Sequence, residues 1–163
     1  GNISERRVER LVNPNLSNGL PAFLTGKSGL NSGYMIAQYT AAALVSENKS
    51  LSHPASVDSI PTSANQEDHV SMGTIGARKA AMILKNLGNI LAIEALCAAQ
   101  GIDFRKPLEP SEGVKIIYNL IREVVEFLDN DRNISEDINK MNYLLHSNNL
   151  FIQIKSFIDK VIV

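Results

Sequence analysis

Residues 84–99 limit the folds open to this chain more than any other stretch. Between Leu87 and Ala99 only Gly88, Asn89 and Glu94 interrupt the apolar residues. Wound as a helix, that run is apolar around nearly its whole circumference, and such a helix is buried among other helices. The residues ahead of it are polar, from Pro61-Thr62-Ser63-Ala64-Asn65-Gln66-Glu67-Asp68-His69 to Met72-Gly73-Thr74-Ile75-Gly76-Ala77-Arg78. Asn65 is placed to cap the helix, with Glu67 and Asp68 in its first turn and Gly101 at its C-terminal cap. The pattern predicts a long core helix over 68–100. It also predicts a dense polar cluster at the helix start, where free N–H groups and the dipole favour negative charge. A site belongs there.

The other segments also read as helices. Residues 4–12 form a short one, with Val8, Leu11 and Val12 as its apolar stripe and Arg6, Arg7 and Arg10 on a solvated face. Asn13-Pro14 ends it, because the residue before proline is pushed out of the helical region. Residues 13–33 hold four glycines and two prolines, so they form a loop, packed down by Leu16, Leu20, Phe23 and Leu24. Asn31 or Ser32 can cap a helix over 33–48, whose Ala37, Ala41, Ala42 and Ala43 permit close approach of a neighbour. A polar loop with His53-Pro54 and Ile60-Pro61 follows, then the long helix.

Beyond Gly101 the residues 104–110 read as a linker. Ser111 caps an amphipathic helix carrying Val114, Ile117, Leu120, Ile121, Val124, Val125 and Leu128 at helical spacing. Residues 129–133 form a turn, Ser135 caps a helix with Ile138, Met141, Leu144 and Leu145, and a last helix covers 150–162. No segment alternates with period two. The expected fold class is all-α, with long buried helices of a bundle followed by a smaller amphipathic helical region. The expected division falls between 1–105 and 106–163.

Composition narrows the function. The chain has 163 residues, 44% hydrophobic and 20% charged, enough to fill one core. A net charge of −1 gives no electrostatic case for nucleic acid or an anionic membrane. No uninterrupted apolar segment reaches the roughly 18 residues of a membrane span. A single cysteine, Cys97, excludes an internal disulfide and fits a reducing compartment. The chain has no initiator Met and no targeting segment, and it reads as a piece of a longer polypeptide.

Bland readings account for most of the candidate chemistry. Residues two apart on a helix point about 200° apart, so Glu67 and His69 cannot share a metal ion within one helix. His53 and His146 lie elsewhere, and no metal site is expected. Cys97 sits in the most apolar run and packs as a small hydrophobe. Lys27-Ser28-Gly29 with Gly26 is too sparse for a phosphate loop. Without further information, Glu67 is as well read as a plain helix-start carboxylate as a functional one.

Four motifs change that balance. Ser63-Ala64-Asn65-Gln66-Glu67-Asp68-His69-Val70-Ser71-Met72 resembles a motif of the histidine ammonia-lyases, within the aromatic amino acid ammonia-lyase superfamily. So do Asn13-Pro14…Leu20-Pro21-Ala22-Phe23-Leu24, Asn31-Ser32-Gly33-Tyr34-Met35-Ile36-Ala37-Gln38 and His53-Pro54-Ala55-Ser56-Val57-Asp58-Ser59. The resemblance runs in order over residues 4–105. Beyond that it is looser and rests on Leu128-Asp129…Asp131-Arg132 and Asp137-Ile138. It covers the C-terminal part of such an enzyme.

The resemblance implies elimination of ammonia from L-histidine to give trans-urocanate, in a cytoplasmic homotetramer built on a bundle of long helices. It implies an electrophilic methylidene-imidazolone ring, formed from an internal Ala-Ser-Gly. This chain has no such triplet, its two Ser-Gly pairs following Lys27 and Asn31, so the 163 residues alone are expected to be inactive. By the same resemblance, Glu67 aligns with the glutamate that meets the substrate imidazole and Met35 with a methionine of the same pocket. Gln66 and Asn65 support the site. The alternatives are a phenylalanine or tyrosine ammonia-lyase or an aminomutase of the same superfamily, and a non-catalytic helical assembly module.

Overall fold

The computed structural model describes residues 1–161. Among them the chain is all-α, with six helices: α1 (Asn2–Val12), α2 (Met35–Leu51), α3 (Gly73–Asp103), α4 (Glu112–Val124), α5 (Ile134–Leu145) and α6 (Asn148–Val161). Short 3-10 turns stand at Ala22–Leu24, Ala55–Val57 and Ser63–Asn65. No strand forms among the described residues, which carry only two isolated bridges, Ser28 with Asn31 and Thr62 with Glu67. Of the last helix expected, Ile162 lies outside the described residues.

α3 is the spine, with α1, α2 and α5 packed along it. Its buried residues are confined to its C-terminal two-thirds, from Asn86 to Gly101. There Ile90, Ile93, Leu96 and Cys97 are wholly inaccessible, and the last three share one core cluster with Val8 and Val12 of α1, Ala37 and Ala41 of α2, and Met141 of α5. One glycine eases this packing, since a Cβ on Gly88 would stand 3.2 Å from the Asn142 side chain of α5. Gly101 is buried inside α3 and does not end it, since the helix runs on to Asp103.

The starts of the two long helices depart furthest from expectation. Asn65 does not cap α3, which begins at Gly73 behind a left-handed Met72 (φ 54°). Glu67 and Asp68 consequently lie outside the helix, and its dipole does not act on them as a first-turn field would. Likewise α2 begins at Met35 with no capping bond from Asn31 or Ser32, and it continues to Leu51. Polar Glu47 and Asn48 stay helical because both accept hydrogen bonds from Asn86 Nδ2 on α3, at 2.6 and 3.0 Å. α5 starts one residue before Ser135, with Asn133 at the cap position. α4 ends at Val124, so Val125 and Leu128 reach the core from the segment that follows.

The arginines of α1 are not merely solvated. Arg7 pairs with Glu94 of α3 at 3.1 Å, and Arg6 pairs with Glu9. At the far end of α3, Asp103 accepts from Arg122 through Nε (2.9 Å) and Nη2 (2.6 Å), from Tyr118 (2.6 Å) and from Lys106 (2.8 Å). Burial alone would raise its pKa, but these donors outweigh burial and hold the carboxyl below the ordinary aspartate value. By length and composition α3 could also cross a membrane, but the residues just named pack its buried part against other helices.

Gln100 is fully buried and uses all four of its hydrogen-bonding positions. Its Nε2 donates to the carbonyls of Leu24 (3.2 Å) and Leu128 (3.0 Å). Its Oε1 accepts from the Leu128 N–H (3.1 Å) and Arg122 (3.3 Å). Gln100→Ala strands these buried partners, and we expect a loss of about 3 kcal/mol of stability, read from the midpoint of urea denaturation at unchanged slope.

Candidate functional site

The polar cluster sits on an excursion between α2 and α3 rather than on a helix. Thr62 and Glu67 close it with a pair of backbone hydrogen bonds, Thr62 N–H to Glu67 O at 2.9 Å and Glu67 N–H to Thr62 O at 3.4 Å. Between them Ser63, Ala64 and Asn65 all take left-handed backbone angles, with φ of 51°, 56° and 68°. Only asparagine among these three tolerates that region well, and a residue such as alanine there is strained by about 1–2 kcal/mol. Val70 N–H donates to Ser59 Oγ at 2.9 Å, and Lys79 of α3 donates to the His53 carbonyl. These bonds hold the excursion to its own flanks and to α3.

Asn65, Gln66 and Glu67 thus lie side by side on one tight turn, all exposed. Among the described residues the Glu67 carboxylate has no ion pair or hydrogen-bond donor. Met35 stands apart as the first residue of α2, half-buried, with its N–H donating to Ser32 O at 3.2 Å. The structure brings the three turn residues together, and no hydrogen bond joins Met35 to them. A turn that presents three polar side chains, one of them an unpaired carboxylate, to open space can accept hydrogen bonds from a cationic or N–H-bearing ligand.

The other candidates are placed as follows. Residues 67–69 are not helical, so the helical-wheel argument against a shared metal ion loses its footing. Among the described residues no three His, Cys, Asp or Glu side chains cluster as ligands would. Cys97 is fully buried, and desolvation, helped by Glu94, pushes its thiol pKa far up. Lys27 reaches Asp129 (2.7 Å) and Asn130 (2.9 Å).

Sequence reasoning missed the role of that second partner segment. Asp131 receives the N–H groups of Ser32 (2.7 Å) and Gly33 (2.9 Å), just ahead of Met35. The only sequence signal was the fragmentary resemblance of Leu128-Asp129…Asp131-Arg132, which carried no partner information.

Comparison with known proteins supplies the identity of this architecture. Residues 1–123 match the family described as aromatic amino acid lyase. The chain belongs to that family. It is 57% identical over 160 residues to the histidine ammonia-lyase of Natranaerobius thermophilus, covering 98% of this chain and 32% of that protein. The crystal structure of histidine ammonia-lyase from Trypanosoma cruzi superposes with a TM-score of 0.91 at 54% identity, over 96% of this chain and 30% of the other. A tyrosine aminomutase from Streptomyces globisporus gives a TM-score of 0.86 at 40% identity, over 94% and 30%. The chain spans about a third of the length of the curated relatives it matches.

The burial of Cys97 gives a direct check on the core. The folded chain is expected to leave its thiol unlabelled by an aromatic disulfide reagent at neutral pH, with one equivalent reacting once denaturant is added.

Proposed function

We propose that the chain is the C-terminal part of a histidine ammonia-lyase, the intact enzyme eliminating ammonia from L-histidine to give trans-urocanate in the cytoplasm. The observation that carries this reading is the stretch Ser63-Ala64-Asn65-Gln66-Glu67-Asp68-His69-Val70-Ser71-Met72, with Met35, in a chain 57% identical to such an enzyme. Residues 1–105 contribute to the active site and to an intersubunit bundle, and 106–163 form a C-terminal helical region. The partners are L-histidine and three further copies in a homotetramer, not nucleic acid or a membrane.

In this reading the Glu67 carboxylate accepts from the substrate imidazole N–H, Met35 packs against the ring, and Gln66 and Asn65 add hydrogen bonds around them. A hydrogen bond to a charged group contributes about 1.5–3 kcal/mol, and a buried partner left without it costs a similar amount. An apolar ring leaves Glu67 unpaired. The same carboxylate therefore both holds histidine and rejects phenylalanine. In the same reading, proton removal is a second task open to this carboxylate.

The family's methylidene-imidazolone supplies an electrophile for the departing amine. The residues present do not fit its formation, because both Ser-Gly pairs lack the preceding alanine and belong to the Lys27 to Gly33 segment held by Asp129 to Asp131. No step through that group is assigned to this chain.

Two outcomes test the reading. In the full-length enzyme Glu67→Ala is expected to lower kcat/KM for histidine at least about tenfold, or 1.4 kcal/mol, with the ring absorbance intact. Survival of full activity reduces Glu67 to a loop carboxylate. Preferred turnover of phenylalanine or tyrosine by the same enzyme supports the alternative of an aromatic ammonia-lyase or aminomutase instead.

The 163 residues alone are expected to yield no urocanate and to self-associate, since Ile36, Tyr39, Ile75, Met82 and Leu84 are all 48% exposed or more. Apolar surface of that kind costs about 25 cal/mol per Å² in water. Sedimentation that finds only a monomer at high concentration counts against the assembly. Urocanate formed by the purified chain counts against its inactivity.

A further inference from the structure

The start of α2 has no capping side chain of its own. Tyr34 occupies the cap position without a side-chain bond, and the help comes from a segment about a hundred residues away. Asp131 Oδ2 accepts the Ser32 N–H at 2.7 Å and Oδ1 accepts the Gly33 N–H at 2.9 Å. Four further hydrogen bonds join the same two segments. Asn31 Nδ2 donates to Asp129 O (3.1 Å), Asp131 N–H donates to Asn31 Oδ1 (3.4 Å), and Lys27 Nζ donates to Asp129 Oδ2 and Asn130 Oδ1.

The other side of the segment is equally fixed. The Phe23 carbonyl accepts the Tyr34 N–H at 2.9 Å. Gly33 lies at φ +55°, and a Cβ there would overlap that same carbonyl oxygen. Residues 32–34 are thus held between Phe23 and Asp131, and Met35 follows directly. A carboxylate suits this place for two reasons. Two N–H groups converge on its two oxygens, which an amide cannot match, and negative charge is favoured at a helix start.

We propose that Asp131 is a positioning residue of the lyase site, fixing the start of α2 and through it the placement of Met35 against the substrate. The proposal rests on the reading of Met35 as a pocket residue. It goes further, because Asp131 lies beyond residue 123, where the family match ends. It gives the segment after α4 a part in the site.

The test is a double-mutant cycle in the full-length lyase that carries this chain, with Asp131→Ala, Met35→Ala and the pair, read as KM and kcat for histidine per folded protein. Each single variant is expected to raise KM about tenfold, the loss of a charge-assisted contact or of its target. The pair is expected to raise KM no more than the larger single, because coupled residues are non-additive. Where Asp131→Ala fails to fold, Asp131→Asn takes its place in the cycle. It keeps one acceptor oxygen and is expected to give a smaller rise, about threefold. A purely structural role lowers the melting temperature without moving KM.

Fully additive effects on KM overturn the proposal. So does an unchanged KM in the Asp131 variants alongside a raised one in Met35→Ala, which leaves the pocket reading standing. An unchanged KM in Met35→Ala overturns both.

Discussion

A single buried amide holds the irregular parts of this fold in register. Gln100 is wholly inaccessible, and both its N–H donors and both acceptor positions of its oxygen are used. Two of its partners are loop carbonyls with no helix to satisfy them, at Leu24 and Leu128. Burying such groups without partners costs about 1–3 kcal/mol each, so the loops can pass through the core only where Gln100 meets them. Leu24 and its neighbour Phe23 are left-handed, with φ of 55° each. That conformation aims the Phe23 carbonyl at Tyr34, and Leu128 brings Asp129 and Asp131 to the other side of the same segment. The start of α2 is therefore set from α3, two steps away.

α3 also explains how one helix serves two environments. From Asn86 onward most of it is buried by α1, α2 and α5, and the polar groups there, Asn86, Glu94, Gln100 and Asp103, each find a partner on another element. Ahead of Asn86 it carries Ile75, Met82 and Leu84 in the open, at 48%, 48% and 66% exposure. Helices of a soluble monomer place such residues inward along one stripe. Here the helix outruns the elements that cover it, and its apolar character continues past their ends. Large exposed apolar surface marks an association site, consistent with a bundle formed between subunits.

How much of this could be read from the chain differs between elements for physical reasons. The existence of the helices was legible, because periodicity and apolar runs record burial directly. Their starts were not. Asn65 followed by Glu67 looks like a cap, yet the chain there turns left-handed, a choice made by the Thr62–Glu67 pairing and invisible in local sequence. The helix expected to stop at Asn48 runs on to Leu51, with Glu47 and Asn48 held to α3 by Asn86. Asn31 and Ser32 looked like caps, yet the carboxylate that serves α2 comes from Asp131. The last two are tertiary hydrogen bonds overriding a local preference, and the first is a turn closed within the loop itself. The site was legible only through motif resemblance, since an exposed glutamate among polar residues carries no signature of its own.

The strain in that turn points to what the site requires. Ser63 and Ala64 at positive φ each cost on the order of 1–3 kcal/mol, which the surrounding structure must offset, while Asn65 tolerates that region better. The turn is held by its closing Thr62–Glu67 pair and by Gln66 N–H to Ser63 O at 3.1 Å, with its flanks tied by Val70 to Ser59 and by Lys79 to His53, and its side chains face open space. Such residues persist where surrounding bonds over-determine the backbone, and these bonds set the backbone of Glu67 relative to Asn65 and Gln66. Met35 is preorganised independently, by Asp131 and Phe23. Two rigid pieces that share no hydrogen bond can line one pocket only if a third surface joins them. In this reading that surface is the rest of the lyase, and the substrate binds where the pieces meet.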